Sequence, residues 1–430
     1  MKKKILTSIA AISVSLLLLL LISCGGGDKK DGTNANGNKL DSYTYDVKYS
    51  DNTKIVSAKT VEKLISADKK SGIYKFSADA EEVETLKPGE VVIFAGHSLR
   101  KIKNVEQSGD EIIVNTEYAT LNEAITDGKI SWEKTIDWSG SSSNVNTASL
   151  IIGDVIYASE TKNEFKVHYK GKLQGWDVEL ELEPEGKKLK IKLTGEKSIN
   201  GQKVCKITAE GFLSKFKHKT EMSFSGGQLI NFNESNDGLQ GELNVNFAAV
   251  GVGSDIAYIG IPAKISIPYL IGGVIPVNLN LIATLKVYPE VQQGASSQGS
   301  YKLTYNSDMG FEYEKGNAKL DSKLNSQNME IIGETVTAGT VTTGIGIGFE
   351  FPRFEVAVLG ETIVPFFLIN ISAMNFFEPG ILSGVKPCQQ GKLNLKCISG
   401  INLKFLGVEY NIQKTHFEKE RKWNRGDGCD

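Results

Sequence analysis

Apolar and polar residues alternate with a period of two through long stretches of this chain. Phe165, Val167 and Tyr169 alternate with Lys166 and His168, and Trp176, Val178, Leu180 and Leu182 alternate with Asp177, Glu179 and Glu181. After Pro184-Glu185-Gly186-Lys187 the pattern resumes at Leu189, Ile191 and Leu193 against Lys190 and Lys192. Successive side chains of a strand point to opposite faces, so this spacing predicts a hairpin with one buried and one solvated face, its glutamates opposite lysines. Leu243, Val245 and Phe247 continue the theme. From Val250 on, denser apolar runs take over: Ile259-Gly260-Ile261-Pro262, Ile265-Ser266-Ile267-Pro268, Val274-Ile275-Pro276-Val277 and Leu279-Asn280-Leu281. A similar series, Ile345 to Phe349, Phe351 to Val356 and Ile363 to Leu368, follows after roughly 90 residues and suggests an internal duplication of strand pairs that face each other in a sandwich. Its prolines suit first or edge positions, where no ladder donor is needed. The series from Leu393 to Tyr410 predicts two or three further strands, followed by a charged tail.

Helical spacing is scarce. Thr60 to Ser66 predicts a short helix, and Gly72 to Phe76 a strand. Thr120-Leu121-Asn122-Glu123 is a capping box, in which hydroxyl and carboxylate satisfy each other's backbone N–H; Leu121, Ala124 and Ile125 form the expected buried stripe and Gly128 the stop. The polar run Ser139 to Asn144 marks a boundary. The expected fold class is therefore mainly β: a small N-terminal α+β or barrel-like domain over 42–136, an antiparallel β domain over 137–250 and a β-sandwich-like domain over 251–430.

The first 41 residues stand apart from this folded body. Lys2, Lys3 and Lys4 precede an uncharged apolar run from Ile5 to Ile22, and Ser23 precedes Cys24, the pattern of an export signal over 1–23. Leu21-Ile22-Ser23-Cys24 resembles the lipobox of bacterial lipoproteins. The resemblance implies that Cys24 becomes the mature N-terminus, carries a palmitate-type lipid, and holds the protein at the cell membrane or outer membrane on the extracytoplasmic side. The glycine, lysine, aspartate and asparagine that follow cannot bury enough surface to order themselves, so 24–41 reads as a flexible tether reaching on the order of 20 to 25 Å.

A second resemblance covers about 45 residues. Leu86-Lys87-Pro88-Gly89 opens a turn, Glu90 to Phe94 forms a run rich in valine and isoleucine, Leu99 to Val105 a second and Ile112 to Thr116 a third. This block resembles a module of bacterial cell-surface proteins of unknown role, and implies surface location without a known chemistry.

Charge adds little. Of 49 basic residues, three lie in the export signal, leaving 46 against 51 acidic, so neither nucleic acid nor an anionic surface is an evident partner. Apart from Cys24 the cysteines are Cys205, Cys388, Cys397 and Cys429, an even number compatible with disulfides in an oxidising compartment. Among the three connectivities, Cys388 with Cys397 and Cys205 with Cys429 is the expected one. No close cysteine and histidine spacing announces a metal, and no cofactor motif occurs. Asn231, Asn233, Glu234, Asn236, Asp237 and Gly238 read as a hairpin turn, with a calcium loop as the rival; Asp28 to Gly32 lacks the ligand register for calcium. Gly344, Gly346 and Gly348 lack the following helix that a phosphate loop needs and read as strand glycines.

One motif tempts toward catalysis. Ala95-Gly96-His97-Ser98-Leu99-Arg100 follows a strand as a nucleophile elbow does, yet Arg100 stands where that motif needs a small residue, and a strand pattern follows where it needs a helix. Function is therefore expected to be non-enzymatic: a lipid-anchored envelope protein acting by binding an extracytoplasmic ligand or as a structural component. The alternatives are an esterase-like hydrolase using Ser98 with His168, His218 or His416, and a carrier of lipid or another apolar ligand between the runs at 259–281 and 345–369.

Overall fold

The protein is described by a computed structural model covering residues 40–139, 148–153, 155–160, 164–251, 259–290, 296–332, 336–338, 343–358, 361–378, 386–403 and 410–429. Cys24 and the polar run beyond Ser139 lie outside the described residues. In chain order the strands are β1 Ser42–Tyr49, β2 Thr53–Val56, β3 Leu64–Asp68, β4 Ile73–Ser77, β5 Val91–Phe94, β6 Ser98–Ser108, β7 Glu111–Tyr118 and β8 Ile125–Ile136. Next come β9 Ser149–Ile152, β10 Val155–Ala158, β11 Val167–Leu173, β12 Trp176–Glu185, β13 Lys188–Ile199, β14 Gln202–Ser214, β15 Phe216–Ser225 and β16 Gln228–Val250. The remainder are β17 Ile259–Ile271, β18 Ile275–Glu290, β19 Ser296–Glu314, β20 Asn317–Ile331, β21 Val336–Ala338, β22 Thr343–Val358, β23 Glu361–Glu378, β24 Cys388–Leu403 and β25 Tyr410–Arg425. Three single-turn helices, α1 Ala58–Val61, α2 Glu81–Glu84 and α3 Leu121–Ala124, complete the described elements.

The fold is mainly β, with strands gathered into three sheets. One has eleven strands, running β1-β8-β15-β16-β14-β13-β12-β11 with β19, β20 and β21 added beside β16; one has eight, β10-β9-β17-β18-β22-β23-β24-β25; the smallest has six, β2-β5-β6-β7-β4-β3. The two large sheets share one apolar core, in which Leu180, Ile191 and Leu243 of one meet Ile265, Ile267 and Leu279 of the other. Such face-to-face packing is what one apolar face per strand dictates. The small sheet has its own core of Tyr74, Phe76, Phe94, Ile102 and Val114. Its strand β5 is buried on both faces, Val92 and Phe94 toward that core and Val91 and Ile93 toward the shared one, which accounts for its unbroken apolar run.

The β11–β12–β13 meander follows the expected register, with Glu181 opposite Lys192 and Glu183 opposite Lys190. Several expectations change. The segment 60–66 divides between one turn of α1 and the start of β3. The capping box forms, Thr120 N–H donating to Glu123 Oε2 at 2.8 Å, but the helix ends after four residues. Ile125 enters β8, and Gly128 lies within that strand where a Cβ would overlap Asp46. Asn231 to Gly238 is neither hairpin turn nor loop: it runs through β16, with Gly238 at positive φ in the irregularity between Asn236 and Leu239. The two apolar series do not face each other; β17, β18, β22 and β23 lie side by side in one sheet. Pro262 and Pro268 flank the four residues of β17 that pair with β9, so neither interrupts that ladder.

Strand pairing also crosses the expected domain lines. β1 and β8 belong to the eleven-stranded sheet, and β16 pairs with β19 across residue 250. The compact small unit is the six-stranded sheet, from β2 to β7.

The disulfide joins Cys388 to Cys429, correcting both expected pairings. Cys388 and Cys397 sit at the start and middle of β24, nine residues and so about 30 Å apart at strand rise, far beyond a disulfide's reach. β25 runs antiparallel to β24, Arg425 opposite Gln389, so the short turn after it returns Cys429 to Cys388. Cys205 is a free thiol buried in β14 of the other large sheet, and burial pushes its pKa up to about 12.

Candidate functional site

A groove of about 570 Å³ lies on the outer face of the eleven-stranded sheet, across β8, β15, β16 and β19. Alternation decides which residues face it. Ser131, Glu221, Asn233 and Glu312 align across the four strands in one row, and Glu133, Lys219, Ser235 and Gly310 in the next. The small members of these rows leave depth at the floor, while the long charged ones form walls. Lys129 pairs with Glu221 at 2.8 Å, Lys219 with Asp237 at 3.2 Å, and Lys217 with Glu133. At one end Asp308 accepts from Asn325 Nδ2 at 2.8 Å and from the Gly238 N–H at 2.7 Å, and these bonds hold its carboxyl below the usual range. Half-exposed ion pairs of this kind are worth little individually and exchange partners readily, so the walls can offer both charges and several hydrogen bonds to a polar ligand.

Directly behind that floor, the same strands carry an unusual polar ladder on their core face. Lys134, His218 and Asn236 form one row, and Trp132, Thr220 and Glu234 the next. His218 is fully buried; its Nδ1 lies 3.0 Å from Asn236 Oδ1, and its Nε2 lies 3.1 Å from Thr220 Oγ1. The Asn236 amide donates to Glu234 Oε1 at 3.3 Å. An amide oxygen only accepts, so His218 donates from Nδ1; with the ring kept neutral by burial, Nε2 carries no proton and accepts the Thr220 hydroxyl hydrogen. Burial lowers its pKa to about 4. Burial raises the Glu234 carboxyl to about 8, and its Oε2 has no hydrogen-bond partner. Lys134, 1% exposed, pairs with Asp41 at 3.6 Å.

The residues singled out in the sequence are dispersed. Ser98 is buried at the start of β6, 3.1 Å from His97 Nδ1, in the six-stranded sheet. His168 and His218 belong to strands of the eleven-stranded sheet and His416 to β25 of the eight-stranded one. Glu179 and Glu181 lie on the solvent face of β12, where His168 Nε2 meets Glu179 Oε1 at 2.9 Å; with Glu181 they place three potential metal-ligand atoms within 4.8 Å of one another. The apolar run at 259–281 packs into the shared core through Ile265, Ile267, Ile271, Val277, Leu279 and Leu281. Beside it, between the sheets, Leu180, Ala209, Ala263, Ala283 and Leu285 line a gap of about 20 Å³, the room of a single water.

Sequence reasoning missed Glu234, His218 and Asn236 as core residues. The available signal was the two-residue spacing of Phe232, Glu234 and Asn236, but it is out of phase with Leu243 and Val245 because the ladder shifts between Asn236 and Leu239, and turn-forming residue types outweighed it. No helix among the described residues is long and apolar enough to cross a membrane. No protein-family model, curated protein or solved structure matches the chain.

Proposed function

We propose that this protein is a lipid-anchored component of the bacterial cell envelope, held at the cell or outer membrane through Cys24, that binds a polar, hydrogen-bonding ligand in the outer-face groove. The groove carries the reading. Its 570 Å³ falls within the range of small-ligand sites, and its floor of Ser131, Asn233, Ser235 and Gly310 is lined by side chains that donate, accept or leave space. Walls of paired lysines and carboxylates suit a ligand with many hydroxyl or amide groups better than an apolar one. The lipobox and the unfolded composition before Leu40, which is itself buried in the shared core, support a tether ending at the sheet margin.

The two halves of the proposal have separate tests. Metabolic labelling with an alkyne palmitate should mark the wild-type chain and not Cys24→Ala; equal labelling of both refutes the anchor. Co-sedimentation with purified cell-wall sacculi and binding to a panel of soluble glycans should detect the ligand class, and Ser235→Trp, which fills the groove from the solvent face, should abolish the signal. Undiminished binding by that variant refutes the groove.

A further inference from the structure

A second site emerges in the six-stranded sheet, away from the groove. Arg100 is only 4% exposed. Its Nε donates to the Tyr74 hydroxyl at 2.8 Å and its Nη2 to the Lys69 carbonyl at 2.9 Å, and its guanidinium lies 4.4 Å from the ring centre of Tyr118. These bonds use two of five N–H donors. Tyr118, Arg100's cross-strand neighbour, is 64% exposed, so the aromatic cover over the cation sits at the surface.

Two further basic residues lie beside Arg100: Lys69, whose carbonyl takes the Nη2 bond, and His97, which shares the Tyr74 ring. Lys69 is exposed, yet partial desolvation and then the Arg100 charge lower its ammonium's pKa. Burial, then Lys69, then Arg100 lower the His97 imidazole to about 4. His97 also packs edge-on against Tyr74 at 5.7 Å and contacts the Ser98 hydroxyl. Among the described residues no carboxylate pairs with Arg100, Lys69 or His97. The adjacent Asp68 instead accepts the N–H groups of Lys70 and Ser71. A buried guanidinium without a counter-charge is among the costlier things a fold can hold, and the Lys69 ammonium beside it raises that cost. An arrangement of this kind is relieved by an incoming anion, and the planar guanidinium fork, an ammonium and a hydroxyl are the donors that recognise a tetrahedral oxyanion.

We propose that Arg100, Lys69 and His97, with the Ser98 hydroxyl, form a binding site for a phosphate-type oxyanion at the end of β6. The chemistry is shared by free phosphate and by a phospholipid headgroup, and the test separates them. The chain from residue 25 onward, which retains every described residue, is titrated with inorganic phosphate by calorimetry and sedimented with phosphatidylglycerol vesicles. Saturable binding in at least one arm is expected. Lys69→Gln should weaken it at least fivefold while Lys69→Arg retains it, and Arg100→Lys should weaken it at least tenfold. Lys69 lies on an exposed turn, so Lys69→Gln keeps the fold, which circular dichroism checks. Binding of inorganic phosphate alone identifies a soluble ligand. Vesicle binding that inorganic phosphate competes away identifies a headgroup, and either result supports the site. Saturation by neither probe, or affinity unchanged in both Lys69→Gln and Arg100→Lys, overturns it.

Discussion

Replacing Glu234 by glutamine should change how stability depends on pH, in a way the buried ladder dictates. An ordinary glutamate gives up its proton near pH 4.5, whereas in the folded chain burial delays that loss to about pH 8. Between those values the folded state binds one more proton than the unfolded one, so stability falls as pH rises. At about 1.4 kcal/mol per unit, the interval corresponds to an order-of-magnitude loss of 5 kcal/mol, complete above pH 8. His218 acts oppositely. Its folded pKa of about 4 lies below the ordinary 6.5, so the unfolded chain holds the extra proton and stability rises with pH through that window, by roughly 3 kcal/mol. From about pH 4.5 to 6.5 the two slopes cancel; from 6.5 to 8 only Glu234 contributes, and wild type should lose about 2 kcal/mol. Glu234→Gln keeps an oxygen for the Asn236 amide but has nothing to ionise. Its stability should climb between pH 4 and 6.5 and then stay level, while His218→Gln should fall steadily from 4.5 to 8. Urea unfolding followed by tryptophan fluorescence at half-unit pH steps measures all three profiles. A Glu234→Gln profile that declines between pH 6.5 and 8 as steeply as wild type would refute the reasoning.

Other expectations concern the framework. Cys388→Ser opens a 41-residue loop and should cost about 4 kcal/mol by chain entropy, seen as a lower urea midpoint that reductant reproduces in wild type; peptide mapping without reduction should recover Cys388 linked to Cys429. Cys205 should resist alkylation at pH 8 until the protein unfolds, because its thiol is buried and its pKa is raised. Gly211→Ala drives a Cβ into the Glu242 carbonyl on the neighbouring strand and should destabilise by about 3 kcal/mol in thermal unfolding. A fluorophosphonate probe should leave native Ser98 unlabelled, since among the described residues no carboxylate pairs with the His97 imidazole beside it to make that ring a base; labelling lost in Ser98→Ala would revive the hydrolase reading.

Where one face met solvent and the other met the core, the pattern was legible: β11, β12 and β13 follow their alternation, down to glutamates opposite lysines. The Thr120 capping box was legible as a motif but not in its extent, because Ile125 gains more from the shared core as part of β8 than a second helical turn would offer. Asn231 to Gly238 was misread because asparagine, aspartate and glycine favour turns locally. Here their backbone groups pair on both sides, with β15 and β19, and tertiary pairing outweighs local preference. The cysteine pairing was illegible because it depends on which strands become antiparallel neighbours. Likewise neither the groove nor the Arg100 cluster could be seen in the chain: Ser131, Ser235 and Gly310, or Lys69 and Arg100, meet only once the strands are in register.

β16 has a further consequence. Along one edge its first half joins β15 and its second half joins β14, while β19 runs along the other edge. Among the described residues β14 and β15 share no ladder, so the two wings of the sheet are hydrogen-bonded together through β16, with β19 spanning its irregularity after Asn236 and Lys215 joining them along the chain. Tension applied at Leu40 would enter through β1 and pass by β8 and β15 into one wing first. The other wing receives it through β16, through β19 and through Lys215 in the chain, so the irregularity between Asn236 and Leu239 lies on a path that couples the two sides.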